Sequence, residues 1–390
     1  MKTIRLKRGK DESLRRYHPW VFSGAIQTID DDVNEGDVVQ VLTEKGDFIA
    51  VGHYQQGSIS VRVLTFSPVD IDDRFWQSRL TSALHMRQAI GLADNDSNTT
   101  YRLVHGEGDL MPGLIIDIYG PTAVMQAHSI GMHISRQQIA QCLMDVMNGR
   151  ITSIYYKSET TLPFMEPENG FLIGHNDDNT AVENGLRFYV DWLKGQKTGF
   201  FIDQRENRSL LERYANGKRV LNMFCYTGGF SVYAMRGGAL TVHSVDSSAK
   251  AIELTRSNVE LNFPNDSRHQ AFCEDAFRYL ENNGGGYDLV ILDPPAFAKH
   301  RGALHNALKG YTRLNMKALE KMESGSLLFT FSCSQVVTKD QFRSAVFTAA
   351  ALAQRKVRIL HQLHQPADHP VNIYHPEGEY LKGLVLYVEK

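Results

Sequence analysis

The sequence predicts a multidomain α/β protein with an N-terminal β-barrel, a central α+β domain and a C-terminal Rossmann-like domain. From Leu186 onward, short apolar runs alternate with amphipathic segments, as in a doubly wound parallel sheet with crossover helices. Before residue 66, β-branched runs are separated by glycine-containing turns, which is typical of a small barrel. Polar joints at 68–73 and 177–179 predict domains over 1–68, 69–180 and 181–390.

The elements follow in order along the chain. The first domain is expected to contain strands at 38–42 and 60–64. The central domain is expected to contain helices over 74–90 and 135–147, and strands at 113–118, 123–128 and 151–156. In the C-terminal domain we expect strands at 220–224, 240–245, 287–292 and 326–331, another strand just before Glu274, and helices over 205–214, 229–236, 248–261, 303–322 and 339–353. The last strand, 383–388, is expected to be antiparallel.

The composition excludes several classes of protein. The 390 residues carry 42 Lys and Arg against 44 Asp and Glu, a net charge of -2, which argues against a globally basic binder but permits a local basic patch. Residues 1–22 form such a patch, with seven basic and two acidic residues, although short basic starts are often only solvated surface. No stretch approaches the roughly 18 continuous apolar residues of a membrane span.

The cysteines and histidines predict neither a disulfide framework nor a metal site. The four cysteines (142, 225, 273 and 333) show no Cys-x-x-Cys spacing, and the N-terminus lacks the apolar core of a secretion signal. These features favour a cytoplasmic protein. Histidines in the C-terminal tail, at 361, 364, 369 and 375, are irregularly spaced. We therefore predict that no metal is bound.

A glycine-containing turn after an apolar strand is the first candidate site. Segment 222–228 ends the strand, and a helix follows. Glycine lets the backbone approach a ligand at the carboxyl edge of a sheet, although a lone turn of this kind is about as often only a helix start. The residues assigned here to cofactor binding are Asn222, Phe224, Tyr226, Thr227 and Gly228.

Acidic residues end the next two strands. Asp246 comes 24 residues after Asn222, an offset at which a carboxylate can accept hydrogen bonds from ribose hydroxyls. Asp275 follows the third strand, where its side chain could reach an adenine edge. The turn is not G-x-G-x-x-G and the chain has no P-loop, which disfavours NAD and ATP and favours S-adenosylmethionine (SAM) as the cofactor.

Two further motifs end the fourth and fifth strands. In Asp293-Pro294-Pro295-Ala296-Phe297, the prolines stop the strand, Asp293 can accept from an exocyclic amine and Phe297 can stack on a ring, although a plain Asp-Pro turn is the alternative. Cys333 lies in Phe331-Ser332-Cys333-Ser334. An isolated cysteine is usually a small buried apolar residue, but at this edge its thiol could be a covalent nucleophile. Thiolate addition at C6 of cytosine would make C5 nucleophilic enough to accept a methyl group.

Together these motifs resemble the bacterial family of 23S rRNA cytosine-C5 methyltransferases with an N-terminal PUA domain. The resemblance covers essentially the whole chain, and its combination of motifs is highly specific. The segments that carry it are 18–24, 197–205, 222–230, 293–297, 331–334, 368–370 and 380–383.

The resemblance implies a PUA RNA-binding module, a central α+β domain and a Rossmann-like SAM-dependent methyltransferase domain that acts on large-subunit rRNA. Cys333 would be the nucleophile, and Asp293 would orient the N3/N4 edge of the cytosine. The residues expected around the base are Pro294, Pro295 and Phe297.

By the same resemblance, Asp246 would bind the SAM ribose and Asp275 the adenine amine. Gln204 and Arg205 are expected near the methionine end of SAM, where a guanidinium suits a carboxylate. The basic N-terminus is expected to contact RNA phosphates through Arg15 and Arg16.

Other functions stay open at this point. A base N-methyltransferase acting on guanine would use Asp293 for the amine and Cys333 only for packing. A non-catalytic RNA-binding assembly factor would bind SAM without turnover. Another group of RNA cytosine-C5 enzymes carries a second cysteine where this chain has Ala296, so the base that removes the C5 proton is Asp293, a water or a tail residue such as Asp368. A homodimer is compatible with the sequence.

Overall fold

The computed structural model describes residues 1–162, 165 and 168–390, which form two compact units. The first unit contains residues 1–185, 190–202 and 367–378, and the second contains residues 186–189, 203–366 and 379–390. The chain therefore passes between the units more than once, and residues 367–378 of the tail fold with the first unit.

The first unit begins with a six-stranded sheet whose order is β2-β6-β5-β4-β1-β3. Its strands are β1 (Lys2–Leu6), β2 (Trp20–Phe22), β3 (Ile26–Ile29), β4 (Val38–Leu42), β5 (Phe48–Tyr54) and β6 (Ile59–Thr65), and α1 spans Glu12–Arg15. Val39 and Val41 are fully buried, whereas Val38 and Gln40, which alternate with them, are half-exposed. This is the period of two expected for a strand with one buried face. The strands expected at 38–42 and 60–64 are confirmed.

A second sheet in this unit has the order β11-β10-β9-β8-β7. Its elements are α2 (Asp73–Ala89), β7 (Thr100–His105), β8 (Leu114–Tyr119), β9 (Thr122–Ala127), α3 (Ile130–Ile134), α4 (Arg136–Met147), β10 (Ser153–Tyr156) and β11 (Gly170–Ile173), followed by β12 (Thr180–Glu183). The Asp72 carboxylate accepts from the Phe75 N–H and caps α2. Trp76 and Leu80 of α2 belong to the same buried cluster as the sheet residue Ile116.

The second unit contains a seven-stranded sheet of order β16-β15-β14-β17-β18-β20-β19. The elements of this unit, of which β13 lies outside the seven-stranded sheet, are β13 (Leu186–Tyr189), α5 (Arg205–Tyr214), β14 (Arg219–Met223), α6 (Gly229–Arg236), β15 (Thr241–Asp246), α7 (Ala249–Asn262), β16 (His269–Cys273), α8 (Ala276–Asn283), β17 (Leu289–Leu292), α9 (Leu304–Lys321), β18 (Leu327–Ser332), α10 (Lys339–Leu352), β19 (Lys356–His364) and β20 (Lys382–Glu389).

Strands β14 to β18 are parallel, and β20 is antiparallel to both β18 and β19. Every residue of β17 is buried and apolar, as expected for a central parallel strand covered on both faces. The strand order reverses at β14, which has β15 on one side and β17 on the other. In such sheets the crevice beyond the carboxyl ends of the strands, at this reversal, is the usual ligand site.

No helix in the described part of the chain is long and apolar enough to cross a membrane.

Candidate cofactor and catalytic site

The turn between β14 and α6 has a backbone that only a few residue types adopt without strain. Phe224, Tyr226 and Gly228 have φ values of +59°, +47° and +75°. A Cβ on Gly228 would lie 2.7 Å from Cγ2 of Thr255, so this position excludes any side chain. Strained backbone of this kind is often found at ligand sites.

Side chains of α7 hold the carbonyls of this turn. The Thr255 hydroxyl donates to the Tyr226 carbonyl at 2.8 Å, and the Asn258 amide donates to the Thr227 carbonyl at 2.8 Å. Gly228 has no side chain to cap α6, so the first backbone N–H groups of that helix are available to the carboxylate of a ligand.

Asp246 ends β15 and is tied to the same turn. Its Oδ2 accepts from the Tyr226 N–H at 3.0 Å, and its Oδ1 accepts from the Ser248 N–H at 2.9 Å. Each carboxylate oxygen can accept a second hydrogen bond, so Asp246 can hold a ribose hydroxyl while it keeps these contacts.

Asp275 follows β16 and caps α8. It is exposed, and its Oδ1 accepts from the Arg278 N–H at 3.0 Å. Capping uses one carboxylate oxygen and leaves Oδ2 as a further acceptor for an amine. The sequence-based assignment to the adenine amine is therefore compatible with the capping role.

Asn222 is 1% exposed and lies beneath the turn. Its amide donates to the Ser231 hydroxyl at 2.9 Å, and that hydroxyl bonds to Ser244, which bonds to His269. Burial lowers the pKa of His269 to about 4, so this network is uncharged at neutral pH. Asn222 thus fastens the end of β14 to α6 and β15, and its contact with the cofactor stays a prediction.

Gln204 is tied to the Asp-Pro-Pro motif. Its Nε2 donates to Oδ2 of Asp293 at 3.0 Å, and its Oε1 accepts from the Asn207 amide at 2.6 Å. The family resemblance implied only a cofactor-binding role for Gln204. Arg205 is fully buried, with its Nε 3.3 Å from the Glu206 carboxylate.

Residues of the loop after β17 are buried or packed against the protein at several points. Pro294 is buried, whereas Pro295 is exposed. The Phe297 ring packs on Tyr311 with centroids 4.6 Å apart, and the Tyr311 oxygen accepts from the Ser332 hydroxyl at 2.9 Å. Burial raises the pKa of Tyr311 to about 12. One face of Phe297 is therefore fixed by the protein.

Cys333 is half-buried and directly follows β18. Strands β17 and β18 run parallel with Leu292 opposite Thr330, so Asp293 and Cys333 leave the same edge of the sheet from neighbouring strands. The Ser334 hydroxyl donates to the Ala298 carbonyl at 2.7 Å. This bond joins the loop after β17 to the segment that follows β18.

Arg15 and Arg16 lie in the first unit and are exposed. Nε of Arg15 donates to the Asp11 carboxylate at 2.6 Å, whereas no such pairing is described for Arg16. Trp20, which follows this segment, is half-buried and donates from Nε1 to the Glu107 carboxylate at 2.8 Å.

Asp368 also lies in the first unit, where it is fully buried. Its Oδ2 accepts from the Arg102 N–H at 2.9 Å, and its carbonyl accepts from Arg87 at 2.8 Å. These bonds give Asp368 a structural role, and we do not assign to it the removal of the C5 proton.

One group of potential metal ligands comes together among the described residues: His18, His375 and Glu377, with ligand atoms within 4.8 Å of one another. Of these three residues, only His375 was among the possible ligands considered from the sequence. Nδ1 of His18 accepts from the Trp20 N–H at 3.2 Å, which leaves the hydrogen of a neutral ring on Nε2, 3.6 Å from the Glu377 carboxylate. The absence of a bound metal stays a prediction, and stoichiometric zinc would contradict it.

We expect Gly228→Ala to weaken both folding and SAM binding. A left-handed alanine costs about 1–2 kcal/mol, and the contact with Thr255 adds about 1–3 kcal/mol of overpacking. The matched control is Gly217→Ala, because Gly217 has φ +69° but open space around its Cβ position. Thermal melting and SAM titration measure both effects. Equal melting temperatures and SAM affinities for the two variants would contradict the prediction.

Comparison with known families and structures identifies the families of two parts of this chain. The S-adenosylmethionine-dependent methyltransferase family matches residues 170–371, and the PUA-like domain matches residues 4–66. A solved methyltransferase complexed with SAH aligns with TM-score 0.86 and 25% identity over 99% of this chain and 100% of that chain. A protein from Streptococcus mutans, described as a SAM-dependent methyltransferase, shares the fold with TM-score 0.84 and 24% identity over 99% and 100% of the chains.

Curated relatives match over nearly the whole chain. A protein named ribosomal RNA large subunit methyltransferase I from Aeromonas hydrophila is 39% identical over 397 residues, with 98% of each chain covered. A protein of the same name from Escherichia coli O139:H28 is 37% identical over 393 residues, also with 98% of each covered. The predicted multidomain α/β class, with a PUA-like domain and a SAM-dependent methyltransferase domain, is confirmed, and so is SAM as the cofactor.

Proposed function

This chain belongs to the ribosomal RNA large subunit methyltransferase I family, and we propose that it transfers a methyl group from SAM to C5 of a cytosine in 23S rRNA. The observation that carries the choice of C5 is Cys333, which leaves the same sheet edge as Asp293 and is joined to that motif through Ser334 and Ala298. An N-methyltransferase needs no thiol at this position.

The proposed reaction begins with covalent activation of the base. The Cys333 thiolate adds to C6, which forms an S–C6 bond and moves the C5=C6 π electrons toward C5. SAM, when bound, supplies an electrophilic methyl group. After C5 is methylated, Asp293 or a water takes the C5 proton, the double bond forms again, and the S–C6 bond breaks with its electron pair returning to sulfur.

Asp293 and its neighbours would orient the base. Gln204 holds Oδ2 of Asp293, and we propose that the carboxylate accepts from the cytosine N3/N4 edge. Phe297, fixed on one side by Tyr311, together with Pro294 and Pro295 would line the base site. The cytosine must leave its stack to reach Cys333, which costs least in looped or single-stranded RNA.

The cofactor would be held at the ends of β14, β15 and β16. We propose that Asp246 accepts from the ribose hydroxyls and that Asp275 accepts from the adenine amine. The first N–H groups of α6 would bind the carboxylate of the methionine part. The other residues proposed to line this site are Asn222, Phe224, Tyr226, Thr227, Gly228, Gln204 and Arg205.

We also propose the domain division 1–68, 69–180 and 181–390, with the first domain acting as the RNA-binding module. The match of the PUA-like domain to residues 4–66 supports its first part. Exposed Arg15 and Arg16 would then contact phosphates rather than bases.

Changing Arg15 and Arg16 to glutamine is expected to weaken RNA binding and flatten its salt dependence. Each lost phosphate contact lowers the slope of log K against log salt by about 0.7 for single-stranded nucleic acid. Arg16 should account for more of the loss, because Arg15 is already paired with Asp11. Binding isotherms at several salt concentrations measure the slope. The matched control is Arg343→Gln, an exposed arginine of the second unit that pairs with Asp340, and an unchanged slope in the double variant would contradict the assignment.

The reaction is tested by incubating the protein with SAM and protein-free 23S rRNA, then weighing the nucleosides after digestion. We expect 5-methylcytidine. A methylguanosine would contradict the C5 proposal, and SAM binding without any product, on free rRNA and on large-subunit particles alike, would favour a non-catalytic factor.

A further inference from the structure

Lys382, the first residue of β20, is a buried lysine beside the loop that follows Cys333. It is only 6% exposed, and in the β18–β20 pairing it lies opposite Ser332, the residue before Cys333. Its Nζ donates to the carbonyl of Ser334 and, at 2.6 Å, to the carbonyl of Val337. The lysine therefore holds both ends of the short segment after the cysteine.

This ammonium lacks the partner that a buried charge normally has. Within the part of the chain that the structure describes, no carboxylate lies within ion-pair distance of Nζ, and the nearby Glu379 is already paired with Lys339 at 2.7 Å. Two neutral carbonyls satisfy two of its three donors but do not neutralise its charge. Lysine is almost never fully buried unless it is paired.

Cys333 lies between two residues that are tied to Lys382: Ser332, opposite it in the β18–β20 pairing, and Ser334, whose carbonyl accepts from Nζ. Burial lowers the pKa of Lys382 to about 8, and among the groups that oppose this shift the largest effect comes from Cys333, ahead of Glu379. A negative charge on the Cys333 sulfur would thus compensate the ammonium, and the two fixed carbonyls keep that ammonium from moving away.

We propose that Lys382 is a positioning residue that fixes the Cys333 loop and provides the positive charge that keeps the Cys333 sulfur ionised. This inference rests on the proposed function, because it gives the covalent mechanism its thiolate. The thiol proton leaves to solvent before the substrate binds. Addition to C6 uses the sulfur electron pair, and elimination returns that pair to sulfur. The ammonium is already in place at both steps, so no reorganisation of its charge is needed during the reaction.

The test measures the thiolate without RNA or SAM. The peptide that contains Cys333 is followed by mass spectrometry while the folded protein reacts with iodoacetamide across a pH series. Three variants separate the roles of the lysine: Lys382→Met removes charge and hydrogen bonds, Lys382→Gln keeps donors without charge, and Lys382→Arg keeps the charge. The control is Lys356→Gln, because Lys356 is exposed and lies at the opposite end of the β19–β20 pairing from Lys382. Lys339 is unsuitable as a control, because its charge lowers the pKa of Lys382.

We expect the alkylation midpoint to rise by about one pH unit or more in the Met and Gln variants, which lowers the thiolate fraction at pH 7 about tenfold. Lys382→Arg and Lys356→Gln should keep the midpoint near that of the unchanged protein. If Lys382→Met does not fold, the Gln variant alone decides. Unchanged midpoints together with lost methyl transfer would overturn the proposal and leave Lys382 a structural role. A shifted midpoint in a protein that makes no 5-methylcytidine would support the role of Lys382 but contradict the proposed function.

Discussion

Replacing Cys333 with alanine is expected to abolish formation of 5-methylcytidine while SAM still binds. Without the sulfur, C6 receives no nucleophile and C5 stays too electron-poor to take the methyl group. Removing a covalent nucleophile typically costs at least on the order of 10⁴-fold in rate. The turn at Gly228 and the Asp246 carboxylate do not contact Cys333 in the described hydrogen bonds, so SAM affinity should change little. Nucleoside mass spectrometry and SAM titration measure the two effects.

The control for this variant is Cys142→Ala, because Cys142 is a buried thiol in the first unit. It should lower stability modestly and leave the product unchanged. A second measurement uses RNA with 5-fluorocytidine at the target, since fluorine at C5 cannot leave as a proton and the adduct should accumulate. A band of covalently linked protein and RNA is expected with Cys142→Ala and not with Cys333→Ala. Methylation that survives Cys333→Ala would contradict the covalent mechanism.

The parallel core of the second unit could be predicted because its strands are short, apolar and separated by clear helical patterns. β17 is apolar at each of its four positions and buried throughout. β19 was not predicted, because this edge strand mixes apolar and polar residues on both faces, and its Ile359 and Leu360 are 43% and 44% exposed. α8 was also missed, since it spans only eight residues and ends at glycines.

The candidate site was predictable only as a set of strand ends. Asp246, Asp293 and Cys333 each follow an apolar run, and parallel topology brings such positions to one edge. The contacts that tune them join residues far apart in sequence: Gln204 reaches Asp293 over 89 residues, and Lys382 reaches Ser334 over 48. No local period encodes such contacts, so they emerge only from the folded structure.

The second large effect on the methylation rate is expected from substitutions of Asp293 and of Gln204, which is hydrogen-bonded to it. Asp293→Asn keeps the size of the side chain but replaces an acceptor oxygen with an amide donor and removes the charge, so it should mispair with the cytosine amine. Loss of a group that orients or accepts a proton in the transition state costs about 10²- to 10⁴-fold. We expect the rate of 5-methylcytidine formation to fall in that range while SAM affinity changes little.

Gln204→Ala should produce a smaller loss of the same kind, because it removes the hydrogen bond from Gln204 to Oδ2 of Asp293 but keeps the carboxylate. If Gln204 acts only through Asp293, adding Gln204→Ala to Asp293→Asn should cost little more than Asp293→Asn alone, which a double-mutant cycle detects. Asp288→Asn is the matched control: it lies at the opposite end of β17, and the partly exposed pair it forms with Arg219 should cost at most about 1 kcal/mol of stability. Additive losses would mean that Gln204 acts elsewhere, for instance on SAM as the sequence first suggested, and a nearly normal rate for Asp293→Asn would remove Asp293 from the reaction.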